Sequence, residues 1–198
     1  MAVLRNTSFV HITTVPVSLG FVRGQPGYMM DRGFRVEAIS SAGKQLTDFG
    51  EVNGIEVHSV EMPRIINPLN GLRAGYQLYL KFLRIRPTIA HAHTPKGGLL
   101  GMITSRIART PVRISHTHGL PYMAASGKRR ALLKAIERIS CRLADRVICV
   151  SHSIRQVAID DGIIPAEKIV VLAGGSIDGV DATTRFSPDL FTSAHVVA

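Results

Sequence analysis

Two pairs of histidines, each with one residue between its members, are the clearest chemical signal in the sequence. His91 and His93 lie at the end of one apolar run, and His116 and His118 at the end of the next. Because residues two apart on a strand point to the same face, each pair would present both imidazoles together. Two neighbouring parallel strands would bring all four to one rim of a sheet. We therefore expect a functional site at that rim.

Three interpretations of these histidines are open. They could bind a metal ion, although the sequence around them offers no third ligand. They could be structural and hydrogen-bonded to neighbouring loops. They could also contact a substrate, because Lys96 and the backbone at Gly97 suit an anion at a helix N-terminus. The loop that begins at Gly119 is long enough to shape or cover a pocket.

Several familiar catalytic motifs are missing from the sequence. No Gly-Lys-Ser/Thr follows Lys96, which excludes a P-loop, and the first strand is followed only by Gly20 and Gly24, which argues against a dinucleotide fingerprint. No Gly-x-Ser-x-Gly elbow exists. Residues 62–136 contain no Asp or Glu, so the histidine-rich strand ends offer no carboxylate pair. Glu137 and Asp145 are interpreted as the surface charge and the exit of a basic helix.

The elements that position these residues alternate between strand and helix. The strands are near-continuous apolar runs, typical of a parallel sheet buried on both faces. The predicted strands are Ser8–Val15, Phe34–Ser40, Ile55–Val60, Thr88–Ala92, Val112–His116, Arg146–Val150 and Ile169–Leu172. The predicted helices are Phe21–Arg32, Leu72–Arg86, Gly97–Ala108, Lys128–Ala144 and Ser151–Asp161. In Lys128–Ala144 we expect Leu132, Ile136, Ile139 and Leu143 to form the apolar face. The alternation predicts an α/β, Rossmann-like, doubly wound and mostly parallel sheet of about seven strands, which binds ligands at its carboxyl edge.

Composition and charge narrow the classes of partner. The 198 residues carry a formal net charge of +10, and residues 62–136 hold thirteen basic side chains and no acid. This basic stretch indicates a negatively charged partner or a solvated face, and its few aromatic residues argue against nucleic acid. With no apolar run of membrane-span length, no secretory signal and only two cysteines, the chain is expected to be cytoplasmic.

The ordered motifs resemble the N-terminal half of a retaining GT-B glycosyltransferase of family 4, especially the bacterial capsule and exopolysaccharide enzymes. The resemblance rests on four stretches of the chain and on its exit. These are His11–Pro16, His91–Gly98, Thr117–Pro121, Asp145–Ser151 and the segments Gly174–Asp181 and Arg185–Pro188.

The resemblance implies that this domain, residues 1–188, binds an acceptor that is lipid-linked or a polysaccharide. Residues 189–198 form a tail at the expected start of the donor-binding C-terminal domain, and a nucleotide-sugar donor with no other cofactor and no metal is implied. His118 is the expected catalytic residue. The residues expected to bind donor or acceptor are Gly20, Arg23, His93, Lys96, Gly97, Gly119 and Ser151. Ser151 could equally be an ordinary helix cap.

The sequence leaves two further functions open. One is a non-enzymatic module for anions or membrane surfaces, with Lys128, Arg129 and Arg130 contacting an anionic inner membrane face. The other is an epimerase of the same fold, for which catalytic carboxylates are not evident. As a transferase the chain alone is expected to be inactive, because catalysis needs both reactants held in one geometry.

Overall fold

Seven parallel strands form a single sheet at the centre of the protein. The structure is a computed structural model that describes residues 7–62 and 68–175. The strands are β1 (Thr7–Ile12), β2 (Phe34–Ser40), β3 (Glu56–Ser59), β4 (Ile89–His93), β5 (Val112–Thr117), β6 (Arg146–Cys149) and β7 (Ile169–Val171). Their order is β3-β2-β1-β4-β5-β6-β7, and every neighbouring pair is parallel. The predicted fold class is confirmed.

Helices cover both faces of the sheet. They are α1 (Gln25–Met30), α2 (Lys44–Asn53), α3 (Pro68–Ile85), α4 (Pro95–Ile107), α5 (Gly127–Leu143) and α6 (His152–Asp160), with 3-10 helices at Pro16–Val22 and Pro121–Ala124. Helix α4 packs between α3 and α5 in one layer, where residues of α3 to α6 share the larger core. Helix α2 and the first 3-10 helix form a smaller core on the other face.

Two helices differ from the sequence prediction. The segment predicted as Phe21–Arg32 is instead the 3-10 helix Pro16–Val22 followed by the short α1. Gly24, Pro26 and Gly27 explain the break, since proline and glycine do not favour a helix interior. Helix α2 was not predicted, because it is short and polar.

Close packing of α4 on the sheet depends on a glycine. A Cβ atom at Gly101 would lie 2.9 Å from Ala92 Cβ and 3.1 Å from Ile12 Cδ1. Real Cβ contacts are longer than this, so only glycine lets α4 approach β1 and β4 so closely. The carboxyl ends of β1 and β4 meet where the strand order reverses, which is the point where sheets of this type bind ligands.

The C-terminal end of the predicted domain is not described by the structure, whereas all described helices can be compared with a membrane span. The predicted boundary at residue 188 and the exit motifs from Ser176 onward lie outside the described residues. Among the described helices, none has the length and apolar character needed to cross a lipid bilayer.

Candidate functional site

Five histidines converge at the carboxyl edge where the strand order reverses. His11 comes from β1, His91 and His93 from β4, His116 from β5, and His118 follows β5 directly. The register places His11 beside His91 and His93 beside His116. The first four are at most 5% exposed, and His118 is half-buried. The predicted convergence of the two pairs is confirmed, and His11 joins it.

The imidazoles are hydrogen-bonded to one another and not to loops. His93 is central, with its Nε2 3.2 Å from His11 Nδ1 and its Nδ1 3.0 Å from His118 Nε2. A second pair joins His91 Nε2 to His116 Nδ1 at 3.1 Å. The structural interpretation of the histidines is therefore right in part, although their partners are other histidines.

Burial keeps the cluster neutral. It lowers the pKa of His11 and of His116 to about 3 and that of His118 to about 4, in each case mainly by desolvation. The pKa values of His91 and His93 are also lowered well below their ordinary value, by desolvation first and by the neighbouring imidazoles second. At neutral pH each ring carries one proton.

The hydrogen-bond network assigns the tautomers. His11 Nε2 is buried without a partner, and an unpaired buried N–H group is rarer than an unpaired acceptor. His11 therefore carries its proton on Nδ1 and donates it to His93 Nε2. His93 then donates from Nδ1 to His118 Nε2. It follows that His118 holds its own proton on Nδ1, the nitrogen left for a ligand.

Stacking fixes the ring of His118. Its centroid lies 4.5 Å from that of His116 with an interplanar angle of 12°, and 4.6 Å from that of Phe21 with an angle of 26°. Phe21 belongs to the first 3-10 helix and is 44% exposed. A half-buried histidine at the edge of the sheet is thus held in one orientation by two rings and a hydrogen bond.

The strained backbone at Thr94 supports the same edge. Thr94 has φ 66° and ψ 151°, a conformation almost restricted to glycine, and it directly follows His93. Its hydroxyl lies 2.7 Å from Thr14 Oγ1 and accepts a hydrogen bond from the Thr14 backbone N–H at 3.2 Å. These bonds tie the loop after β1 to the start of α4 and offset the strain.

A cavity of about 390 Å³ opens beside His118, between β5 and the helices α4 and α5. His116, His118 and Gly119 line it on the strand side, and Glu137 and Ser140 line it on the α5 side. Glu137 is only 7% exposed, and its burial raises the pKa of its carboxyl to about 7. The interpretation of Glu137 as surface charge is therefore wrong. Asp145, by contrast, follows the end of α5 as expected and pairs with Arg113 at 2.6 Å.

Helix α5 is rotated relative to its predicted apolar face. Leu132 and Ile139 are 44% and 45% exposed, whereas Ser140 and Cys141 are fully buried with Glu137. The small side chain of Ser140 lies close to Gly98 of α4, where an added Cβ would come within 3.9 Å of its hydroxyl. The buried face of α5 therefore includes small and polar residues, and apolar periodicity alone does not identify it.

The structure brings together the third metal ligand that the sequence did not offer. Candidate nitrogen atoms of His93, His116 and His118 lie within 4.8 Å of one another, as do those of His11, His91 and His93. However, the rings of His116 and His118 are nearly parallel, so their in-plane lone pairs do not converge on one point. Their nitrogens also bond to neighbouring imidazoles. The expected lack of a metal stays a prediction.

Lys96 and Gly97 lie in the first turn of α4. Partial burial lowers the pKa of Lys96. The N–H of Gly97 donates to Thr14 Oγ1 at 2.9 Å, and a Cβ there would lie 3.0 Å from the Thr14 backbone nitrogen. Gly97 therefore allows the loop after β1 to approach closely. Its backbone N–H is used in the hydrogen bond to Thr14.

The remaining predicted residues lie in three other places. Gly20 and Arg23 line a second cavity of about 270 Å³ beside α2, separate from the cavity at His118. Ser151 caps α6 by accepting a hydrogen bond from the Ile154 backbone N–H at 3.2 Å, so the capping interpretation is confirmed. Lys128, Arg129 and Arg130 are exposed in the first turn of α5, at the same edge of the sheet as His118.

Comparison with known proteins gives consistent matches. Residues 27–175 match the model of Glycosyltransferase Family 4. The chain is 30% identical over 177 residues to the capsular polysaccharide biosynthesis glycosyltransferase CapM of Staphylococcus aureus. It is 24% identical over 143 residues to an Escherichia coli UDP-Gal:alpha-D-GlcNAc-diphosphoundecaprenol alpha-1,3-galactosyltransferase. The crystal structure of Anabaena HepE in complex with UDP-glucose is similar with a TM-score of 0.63 at 19% identity.

These matches cover most of this chain and less than half of each relative. They span 89%, 72% and 85% of this chain, against 46% of CapM, 37% of the galactosyltransferase and 44% of HepE. The likeness to HepE supports the fold, and the family match covers most of the chain on its own. The chain belongs to glycosyltransferase family 4.

Proposed function

We propose that this chain is the acceptor-binding half of a retaining glycosyltransferase, which moves a sugar from a nucleotide-sugar donor to a lipid-linked or polysaccharide acceptor. The observation that carries the proposal is the neutral, fixed His118 beside an open cavity at the reversal of strand order. The family match supports transfer chemistry. The UDP-glucose bound to HepE and the diphosphoundecaprenol named for the E. coli relative support these classes of donor and acceptor.

In this proposal His118 acts as a neutral hydrogen-bond donor. Its Nε2 is occupied by His93, so Nδ1–H is left to bond an oxygen of the substrate near the reacting centre. A pKa of about 4 keeps the ring uncharged at neutral pH, so it orients the substrate without supplying a full charge. His93 and His11 act through His118 as positioning residues.

The other predicted residues take supporting roles. Lys96, Gly97 and Gly119 lie at the same edge, where in this proposal they bind the acceptor. Gly20 and Arg23 would approach the donor phosphates from the neighbouring cavity, and Ser151 would contact a substrate in addition to capping α6. A donor-binding C-terminal domain is the proposed partner, which would complete the cleft. Residues 1–188 would form the acceptor-side domain, with the second domain beginning after them.

A reconstituted two-domain protein tests the proposal. This chain would be joined to the donor-binding half of CapM and supplied with radiolabelled UDP-sugars and bacterial lipid extract. We expect transfer of label to lipid or polysaccharide by the hybrid and none by this chain alone. Turnover by the isolated chain would contradict the acceptor-half assignment. A hybrid that binds UDP and lipid but transfers nothing would overturn the proposed activity.

A second candidate function, a membrane-surface module without chemistry, is favoured by one observation. Helix α3 buries Ala74, Leu78 and Phe82 against the core and also presents an apolar stripe to solvent. The stripe residues, which are 47–76% exposed, are Leu69, Leu72, Tyr76, Leu80 and Leu83. Their spacing of three and four residues lines them up on one side of the helix. No acid occurs between residues 62 and 136, so the charged side chains of helix α3 itself are all basic.

The two functions are compatible in one cytoplasmic protein attached to the inner membrane face. Lys128, Arg129 and Arg130 would add electrostatic attraction to an anionic leaflet at the edge where the acceptor enters. Surface binding that persists while every reconstituted transfer assay fails would favour the module over the enzyme.

A further inference from the structure

The cavity beside His118 contains two buried polar groups that the protein itself does not satisfy. His116 Nε2 is buried without a hydrogen-bond partner. Glu137 has no hydrogen bond or ion pair within residues 7–62 and 68–175, and burial is the one cause of its raised pKa. Buried polar groups are nearly always paired, so an unpaired carboxyl that lines a cavity indicates a missing ligand or water.

The two groups differ in how far a ligand can reach them. His116 Nε2 and His91 Nδ1 are both fully buried without a hydrogen-bond partner among the described residues. Because the hydrogen bond between the two rings uses one proton, one of these two nitrogens carries an N–H that the protein leaves unpaired. The carboxyl of Glu137, which lines the cavity, is therefore the unpaired group that a ligand can reach.

The cavity does not suit an anion. Within the part of the chain that the structure describes, its lining contains no Lys or Arg, and a carboxylate at Glu137 would repel phosphate. The lining also offers apolar surface from Phe21, Leu120 and Pro121. A sugar ring combines hydroxyls, each able to accept one hydrogen bond and donate another, with apolar C–H faces. Its size also fits a cavity of about 390 Å³.

We propose that this cavity is the subsite for one neutral sugar ring of the acceptor, in which the carboxyl of Glu137 accepts a hydrogen bond from a ring hydroxyl. This inference rests on the proposed function and deepens it. It makes Glu137 a specificity-determining residue that reads the hydroxyl pattern of the acceptor, and it separates a sugar subsite from the basic surface that meets phosphate or lipid.

Binding of methyl glycosides to the full chain tests the subsite. The probes are methyl α-D-glucoside, methyl α-D-galactoside and the methyl glycoside of N-acetylglucosamine, with inorganic phosphate as the anionic comparison. Binding is followed by the amide NMR signals of residues 115–120 and 137–140, up to about 100 mM ligand, which detects a Kd in the millimolar range. We expect at least one glycoside, and not phosphate, to shift these signals. No glycoside response, or an equal response to phosphate, would overturn the proposal.

Substitution of Glu137 assigns the hydroxyl contact. Glu137→Gln is nearly isosteric and should weaken the bound glycoside about tenfold, the loss of one charge-assisted hydrogen bond. Glu51→Gln, on the exposed part of α2, is the matched control and should change nothing. If Glu137→Gln does not give a folded NMR spectrum, Glu137→Asp replaces it and should weaken binding through its shorter reach. Unchanged affinity in the folded variant would contradict the role of Glu137.

Two experimental outcomes distinguish a wrong subsite from a wrong proposed function. A CapM hybrid that transfers sugar with an unchanged acceptor KM after Glu137→Gln would remove the subsite and leave the transferase intact. Glycoside binding that depends on Glu137, in a hybrid that binds UDP and lipid without transfer, would retain the subsite and remove the transferase.

Discussion

His93 Nδ1 lies 3.0 Å from His118 Nε2, while the other nitrogen of His93 lies 3.2 Å from His11 Nδ1. A fully buried histidine therefore links a residue of β1 to the half-buried histidine at the cavity. Because each neutral ring has one proton, the direction of the two bonds fixes which nitrogen of His118 faces its ligand. The buried histidines His11 and His93 therefore determine the tautomer of His118 through these two hydrogen bonds.

Replacing His118 should affect catalysis more than stability. His118→Ala in the two-domain hybrid should lower kcat about 10- to 100-fold, because the substrate loses a positioned hydrogen-bond donor. The melting temperature should fall little, since His118 is half-buried and makes one hydrogen bond. Calorimetry and a transfer assay on the same preparations give both quantities. A large drop in melting temperature with normal kcat would instead make His118 structural.

Replacing His93 should affect both catalysis and stability. His93→Phe keeps a buried ring but removes both hydrogen bonds, so the donor of His11 is left unpaired at a cost of about 1–3 kcal/mol. His118 loses its fixed tautomer, and kcat should fall with a changed pH profile. The His118→Ala variant is the comparison, because it removes one bond of the same chain. Wild-type stability in His93→Phe would contradict the assigned network.

Acid should destabilise the protein steeply. Histidines such as His11 and His91 have folded pKa values below the ordinary 6.5, so the unfolded state binds more protons below that pH. Each such group contributes stability that is complete above pH 6.5 and is lost by about 1.4 kcal/mol per pH unit as pH falls. The raised pKa of Glu137 acts in the opposite sense, so its contribution is complete below about pH 4.5 and lost towards pH 7. Because five histidines have lowered pKa values, their combined effect on stability exceeds that of Glu137.

Denaturant unfolding between pH 5 and 8 measures this dependence. The free energy of unfolding should rise from pH 5 to about 6.5 and then level off or fall slightly. Glu137→Gln should remove the decrease near pH 7 and steepen the rise between pH 5 and 6.5, because the contribution of Glu137 is lost across that same range. A flat profile below pH 6.5 would mean that the histidines are charged, or exposed, in the folded protein.

Membrane attachment should depend on where the basic residues lie as well as on how many there are. Changing Lys128, Arg129 and Arg130 to Gln should weaken co-sedimentation with anionic liposomes, by about 1 kcal/mol for each residue that reaches the surface. The matched control changes Arg109, Arg142 and Arg146 to Gln, which removes the same charge from exposed residues at the opposite edge. Added salt should weaken attachment, as the Debye length falls to about 8 Å at physiological ionic strength. Equal losses in both triple variants would indicate nonspecific charge attraction.

Two glycines on neighbouring helices should respond in opposite directions to alanine. Gly101→Ala forces a Cβ to 2.9 Å from Ala92 Cβ and should destabilise the protein by about 1–3 kcal/mol. Gly71→Ala in α3 meets no atom of the described residues within 4 Å and should stabilise the protein by about 0.5–1 kcal/mol through helix propensity. Thermal unfolding of the two variants measures both changes in stability. Equal effects would mean that α4 does not pack directly on β1 and β4.

The sequence predicts the sheet well because buried parallel strands leave a strong local pattern. The rim of His91, His93, His116 and His118 follows from strand alternation and strand ends, both of which are local. The position of His11 beside them depends on the pairing of β1 with β4, which no local pattern encodes.

The burial of Glu137 is not predictable from helical periodicity. Leu132 and Ile139 indicate the wrong face of α5, whereas the buried face includes Glu137 and Ser140, the latter close to Gly98 of α4. The sequence of helix α2 has only weak helix signals. Lys44 and Asp48 are four residues apart and pair at 2.7 Å, and Gly54, with φ 63°, ends the helix.

The position of β1 in the sheet has a consequence for synthesis on the ribosome. Its partners are β2, which follows soon after it, and β4, whose His93 is made 82 residues after His11. Until β4 emerges, one apolar edge of β1 has no neighbour, and such an edge favours intermolecular pairing. Nascent chains that stall between residues 40 and 88 should therefore require chaperone protection, while chains released after residue 93 should need less. The same strand junction that assembles the histidines thus sets the interval in which the growing chain is vulnerable.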